Sequence, residues 1–149
     1  MKTLKSIALC LLLFATLTPA MTQAGYYSNT AASNFQSSQY YRALANEYVS
    51  FNAGYSYYDY YVYSYLNSAY SKANTGYNYA NNQYLYQNSS TNCYYAQYYA
   101  YYAQYYAYYA QYYALYKYYG YDYNYYVATN NYSADYNQSY ANYYLFYCG

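Results

Sequence analysis

The stretch YYAQYYAYYAQYYAYYAQYYA, from Tyr94 to Ala114, is one heptad written three times without error. Its alanines, Ala96, Ala100, Ala103, Ala107, Ala110 and Ala114, alternate four and three residues apart, which sets all six on one stripe of an α-helix. A strand gives no such stripe. Seven is odd, so Ala96 and Ala103 would point to opposite faces and neither face would be consistently small. The ends agree with a helix: Ser89, Ser90, Thr91 and Asn92 offer capping side chains, Lys117 falls in the last turn where its charge complements the dipole, and Gly120 follows. The pattern predicts a helix from about Cys93 to Tyr119.

With alanine at the two seam positions of the heptad, Gln97, Gln104 and Gln111 fall beside the seam, while Tyr98, Tyr101, Tyr102, Tyr105, Tyr108, Tyr109 and Tyr112 face away from it. A water-facing helix surface ordinarily carries Lys and Glu there. Phenols in those places either pack inside a larger assembly, since exposed apolar patches mark interaction surfaces, or are themselves the chemically useful part of the chain.

Tyrosine dominates well beyond the repeat. The chain has 42 tyrosines among 149 residues, all of them after Gly25. The usual core formers are few: after Gly25 the aliphatic residues are Leu44, Val49, Val62, Leu66, Leu85, Leu115, Val127 and Leu145. This implies a core of Tyr and Ala, with Asn, Gln, Ser or backbone oxygens meeting each buried hydroxyl. The same mixture describes aromatic-polar low-complexity segments that stay disordered or condense, and composition alone does not separate the two states.

Three further segments carry helical signals. From about Ser38 to Phe51, Tyr41, Leu44, Ala45, Tyr48 and Val49 share one face, ending before Gly54. From about Tyr55 to Ala73, Asp59 comes early and Lys72 late, the favourable charge order, with Gly76 beyond. Here a β-ribbon competes, because Tyr55, Tyr57, Tyr61, Tyr63 and Tyr65 fall on odd positions and tyrosine and Val62 favour strands. The last segment runs from a Ser133 cap, with Asp135 in the first turn, through Tyr136, Tyr140, Tyr143 and Tyr147. Residues 74–83 and 128–132 read as Asn-rich loops. The expected fold class is therefore mainly α: helical hairpins with a long Tyr/Ala heptad helix, Asn-rich loops, and parts that are low-complexity or disordered.

Residues 1–24 are a different kind of sequence. Lys2 and Lys5 precede an apolar stretch from Ile7 to Leu17, and small residues lead to Ala24, which reads as a secretory signal peptide. Cleavage after Ala24 or after Ala20 fits the small-residue rule, and the apolar run is too short for a membrane span of roughly 20 residues. The tyrosine-rich structural region is then 25–149, a third tyrosine, and the product is expected to be secreted and extracellular with no membrane association.

In that region Arg42, Lys72 and Lys117 stand against Glu47, Asp59, Asp122 and Asp135, three basic residues to four acidic, a net charge of −1. Such a chain does not hold nucleic acid, since three scattered basic residues make no groove. Cys10 leaves with the leader, so Cys93 and Cys148 remain in a chain bound for an oxidising compartment. If the helix after Cys93 runs up and the one before Cys148 runs down, one disulfide closes the hairpin; an intermolecular bridge is the alternative. Two thiols and no histidine do not make a metal site of the usual ligand set. Three sequons, at Asn88, Asn131 and Asn137, are candidates for glycosylation in or beside the predicted loops.

No histidine, few acids and no phosphate-binding Gly-rich loop leave no constellation for an enzyme, and no cofactor is expected. The phenols themselves have chemistry. With an ordinary pKa near ~10 a tyrosine is neutral at physiological pH and stays inert until oxidised. One-electron oxidation joins rings as dityrosine; hydroxylation gives a catechol (DOPA) and then a quinone that reacts with amines, thiols or other rings. Only Lys72, Lys117 and the new amino terminus supply amines, so ring-to-ring coupling, or lysines from another protein, is expected.

The leader followed by a short tyrosine-dominated chain, with YSYYDYYVYSY at Tyr55 to Tyr65 and YYAQYYAYYAQYYA at Tyr94 to Ala107, resembles the tyrosine-rich eggshell (vitelline) precursor proteins of trematode flatworms. It departs from the Gly-Tyr members of that group in having five glycines, and from the lysine-rich members in having few lysines. The resemblance implies synthesis in vitelline cells, storage in secretory granules, and cross-linking by an external tyrosinase or peroxidase to other copies and other shell proteins. The sequence thus points to a structural precursor for an eggshell-type extracellular matrix. A noncovalent, self-assembling adhesive or cuticle-type binding protein is the alternative.

Overall fold

The computed structural model describes residues 25–50 and 56–148. The segment 1–24, read as a signal peptide, and the expected helix ends at Phe51 and Tyr55 lie outside the described residues. Among the described residues the chain forms four long α-helices and no strand: α1 (Tyr26–Ser50), α2 (Ser56–Asn82), α3 (Thr91–Tyr118) and α4 (Asn124–Cys148), with α2 continuing into one π-turn, Gln83–Gln87. The mainly α expectation holds.

Cross-helix contacts give an up-down-up-down bundle. Ser38 donates to the Ala69 carbonyl at 2.7 Å between α1 and α2, and Lys117 meets Asp59 at 2.8 Å between the end of α3 and the start of α2. Asn88, just before α3, donates to the carbonyl of Cys148, at the end of α4, at 2.8 Å. Cys93 and Cys148 are joined by a disulfide, so the antiparallel α3–α4 hairpin is stapled within one chain. α1 and α4 close the ring, meeting along fewer residues than the other neighbours.

α3 begins and ends as its repeat predicts. Ser90 caps it, accepting from the Cys93 N–H, and Gly120 turns the chain at φ 98°, in the left-handed region that suits glycine. The other three helices are longer than expected. α1 starts well before Ser38, and α2 runs on through Gly76. The supposed loop 74–83 is helical as far as Asn82, and 128–132 lies inside α4, so Ser133 is not a cap but a mid-helix residue. The β-ribbon alternative at Tyr57 to Tyr65 is α-helix instead.

The reason is a heptad hidden in mixed residue types. In α1 the buried positions include Ser28, Ala31, Phe35, Ser38, Arg42 and Ala45; in α2 they are Asp59, Val62, Leu66, Ala69, Ala73, Gly76 and Ala80, and Gln83 extends the series into the π-turn. In α4 they are Val127, Asn131, Ala134, Gln138, Ala141, Leu145 and Cys148. Each series alternates three and four, as does α3 from Cys93 to Lys117. Asparagine disfavours helices by competing for the backbone, but here Asn34, Asn130 and Asn137 bond the carbonyl four residues back and stay within the helix. Burial of the seam around them supplies the helical stability that local propensity lacks.

The buried core is mostly alanine with Phe35, Val62, Leu66, Val127 and Leu145, and tyrosines such as Tyr99 and Tyr65 pack against it from its edge rather than filling it as composition suggested. No described tyrosine is buried; every one is exposed or half-buried. Small seam residues let the helices approach closely, and the one described ring in the seam, Phe35, is a phenylalanine with no hydroxyl to satisfy. Of the face expected in α1, only Ala45 is buried, while Tyr41, Leu44 and Tyr48 are half-buried and Val49 is exposed. Where a large residue does enter, a small one faces it, as Gly76 faces Phe35.

Three charged residues lie in the seam: Arg42, Asp59 and Lys117. Arg42, 1% exposed, donates through Nε to Asp135 at 2.7 Å and through Nη1 to Ser38 Oγ at 2.7 Å, and Nη2 donates to Gln138, which in turn donates to the Phe35 carbonyl. Burial lowers the Arg42 pKa, with Asp135 opposing. Lys117, expected to complement the dipole and to offer an amine for coupling, is instead buried and ion-paired to Asp59.

Candidate functional site: the phenol surface

Because α3 turns its alanines inward in every heptad, its tyrosines are laid out on a regular lattice. Tyr98, Tyr101, Tyr105, Tyr108 and Tyr112 are 36–44% exposed, while Tyr102 and Tyr109 are half-buried. All seven residues singled out from the repeat therefore reach solvent, and the surface brings them into one continuous ribbon of rings.

The rings order themselves in two directions. Across the α2–α3 groove, Tyr84 meets Tyr94, Tyr77 meets Tyr101 and Tyr70 meets Tyr108, edge to face at 5.5–5.9 Å between ring centres. Both series step by seven residues in opposite directions, as antiparallel heptads require. On the α4 side, Tyr99 stacks on Tyr140 and Tyr144 at 5.1 and 5.6 Å. Inclined and offset ring pairs of this kind are the favourable aromatic geometries.

Along α3, neighbours four residues apart fall into two groups. Tyr98–Tyr102, Tyr105–Tyr109 and Tyr112–Tyr116 lie 4.9–5.0 Å apart with ring planes inclined by 52–64°. Tyr94–Tyr98, Tyr101–Tyr105, Tyr102–Tyr106, Tyr108–Tyr112 and Tyr109–Tyr113 are 6.2–6.4 Å apart with ring planes inclined by 27–32°. One close pair thus recurs in each heptad.

The close pairs perturb ionisation. Hydrogen bonding to Tyr102 raises the pKa of Tyr98, as Tyr109 does for Tyr105, and Tyr116 pushes Tyr112 up to about 12. Tyr61 is raised in the same way by Tyr57, whose hydroxyl lies 3.0 Å away, and Tyr136 by Tyr140. The ordinary value expected for every phenol is therefore corrected upward at these positions. These side chains hold their protons more firmly than free tyrosine.

The most exposed tyrosines lie elsewhere. Tyr86, Tyr125 and Tyr132 are 72–74% exposed, and the repeat gives no hint of them. The disulfide pair Cys93 and Cys148 is brought together. The sequons are not the loop set expected. Asn88 is exposed in the α2–α3 connection, but Asn137 sits within α4, and Asn131 is buried there with its amide donating to Asn46 at 2.8 Å. A glycan has no room at Asn131 in the folded bundle.

Of the two lysine amines, Lys117 is 8% exposed and paired. Lys72 is exposed, beside a groove of about 330 Å³ lined by Ser33, Gln36, Ser37, Tyr40 and Tyr41. Among the described residues no helix is long and apolar enough to cross a membrane, and no cluster of three or more His, Cys, Asp or Glu side chains could hold a metal.

Comparison with protein-family models, with characterised proteins and with solved structures finds no match to this chain. The molecule is defined by its own architecture: an alanine-seamed four-helix bundle clad in tyrosine.

Proposed function

We propose that this protein is a secreted structural precursor whose tyrosines are substrates for oxidative cross-linking, through DOPA-quinone or dityrosine, into an eggshell-type extracellular matrix. The observation that carries this reading is the segregation of residue types: alanine fills the seam while every described tyrosine stays at or near the surface. A fully buried tyrosine ring would remove 150–250 Å² from water, but the described tyrosines keep part of that area exposed even where they pack against the core. Here they are left where an enzyme reaches them.

The amine inventory favours bonds between rings. Lys117 is sealed in its ion pair with Asp59, so Lys72 is the exposed lysine among the described residues. Quinone-amine bonds are then few per chain unless a partner protein brings lysines. The partners are other copies of this chain and other matrix proteins, and an external tyrosinase or peroxidase does the oxidation. A net charge near zero favours close packing before hardening.

The test is to expose the folded protein to tyrosinase beside a no-enzyme control and follow catechol and denaturant-resistant mass. Rapid conversion to insoluble polymer is the expected result. Protein that stays unmodified and dissolves in denaturant contradicts it.

A further inference from the structure

We propose that Tyr98–Tyr102, Tyr105–Tyr109 and Tyr112–Tyr116 are preformed sites of intrachain dityrosine, so that each heptad of α3 carries one staple along its own helix. This rests on the oxidative reading above and names where within the chain the first bonds form.

Geometry singles out these pairs. Residues four apart on a helix are neighbours, and along α3 this set has ring centres at 4.9–5.0 Å, against 6.2–6.4 Å for Tyr94–Tyr98, Tyr101–Tyr105, Tyr102–Tyr106, Tyr108–Tyr112 and Tyr109–Tyr113. Dityrosine joins carbons ortho to the two hydroxyls, which places those hydroxyls side by side in the product. Tyr57–Tyr61 on α2 displays that arrangement before any bond is made, with hydroxyls 3.0 Å apart and ring centres at 4.9 Å. Reactants held in the product's orientation gain a large effective concentration over partners arriving by diffusion. The pairs with ring centres 6.2–6.4 Å apart are held less closely and gain less of that advantage.

The step balances with a peroxidase-type haem enzyme and hydrogen peroxide. Each phenol gives up one electron and one proton, and the two radicals join through one ortho carbon apiece. The two hydrogens on those carbons move to the oxygens, restoring both phenols. Per bond, two phenols lose two electrons and two protons, and one hydrogen peroxide becomes two waters. On a rigid helix such bonds harden the unit itself, leaving the outlying phenols, such as Tyr86 and Tyr132, for bonds between units.

Trypsin cuts after Lys72 and Lys117, so one peptide, 73–117, contains all three pairs. The folded protein is oxidised with peroxidase and peroxide over a dilution series, then reduced to open the Cys93–Cys148 disulfide and digested, and that peptide is weighed and fragmented. The expected result is loss of two hydrogens per bond with no added mass, independent of dilution. Replacing one phenol of each pair, in Tyr102→Phe/Tyr109→Phe/Tyr116→Phe, removes most of this signal. Tyr94→Phe/Tyr101→Phe/Tyr108→Phe leaves it in place. Dityrosine found only in joined peptides, falling with dilution, overturns the inference and leaves the oxidative reading standing. Internal bonds that persist in the first variant overturn the pair assignment. No oxidised tyrosine at all overturns both readings.

Discussion

Gly76 of α2 lies directly against the ring of Phe35 of α1: a methyl group on Gly76 would sit 2.6 Å from Phe35 Cε1. Glycine inside a helix usually costs about 0.5–1 kcal/mol relative to alanine. Overpacking a filled core costs roughly 1–3 kcal/mol, so the contact outweighs the propensity. Gly76→Ala is expected to lower stability by about 1–2 kcal/mol, read from urea unfolding followed by circular dichroism. Phe35→Leu in the Gly76→Ala background should recover part of the loss. A stabilised Gly76→Ala protein would mean the helices can part at no cost, and that the seam is looser than described.

Arg42 ties three helices together through Ser38, Asp135 and Gln138. Arg42→Ala strands Gln138 and empties a large site, and removal of one partner from a buried pair costs about 3–5 kcal/mol. Asp135 is 41% exposed and can turn to water, so the lower end, about 3 kcal/mol, is expected. The double variant Arg42→Met/Asp135→Asn keeps volume without the charges and should be markedly more stable than Arg42→Ala. Thermal unfolding of the three proteins decides. Equal stability of wild type and Arg42→Ala would show that the network contributes nothing.

The raised phenol pKa values set an alkaline limit on the fold. For Tyr98, Tyr105 and Tyr112 the folded value lies above that of a free tyrosine, near ~10. The unfolded chain therefore loses its protons first. The contribution to stability is whole below pH ~10 and disappears as pH climbs through the folded values, which for Tyr112 reach about 12. Phenolate absorbance should show a fraction of tyrosines ionising late, with helicity falling across the same interval. One titration step near ~10 with unchanged helicity would contradict the paired arrangement.

The α3 helix was legible because its seam is pure alanine, and the hairpin because two cysteines bracket it. The seams of α1 and α4 use the same three-four spacing but write it in Ser, Arg, Asn and Gln as well as Ala. Those polar residues read as surface until their partners are seen: Arg42 is a buried seam residue only because Asp135 and Gln138, more than ninety positions on, meet it. Gly76 read as punctuation after a helix for a similar reason, since its role depends on Phe35 on another helix. The outward tyrosines followed from the repeat. Their division into close and distant pairs did not: it recurs at fixed heptad positions, but tyrosine stands at both ends of every pair, so only the placed rings reveal which pairs are close.

The central claim is that the tyrosines lie outside the packed core and are open to chemistry while the bundle stays folded. Nitration of phenols by tetranitromethane, counted by mass in the native protein and again after denaturation, tests this most directly. The account predicts that native protein reacts at most of its tyrosines, Tyr86, Tyr125 and Tyr132 earliest, with helicity retained at the outset. A native protein that resists nitration at nearly all positions until it unfolds would place the tyrosines in a core, and the precursor reading would fall with it.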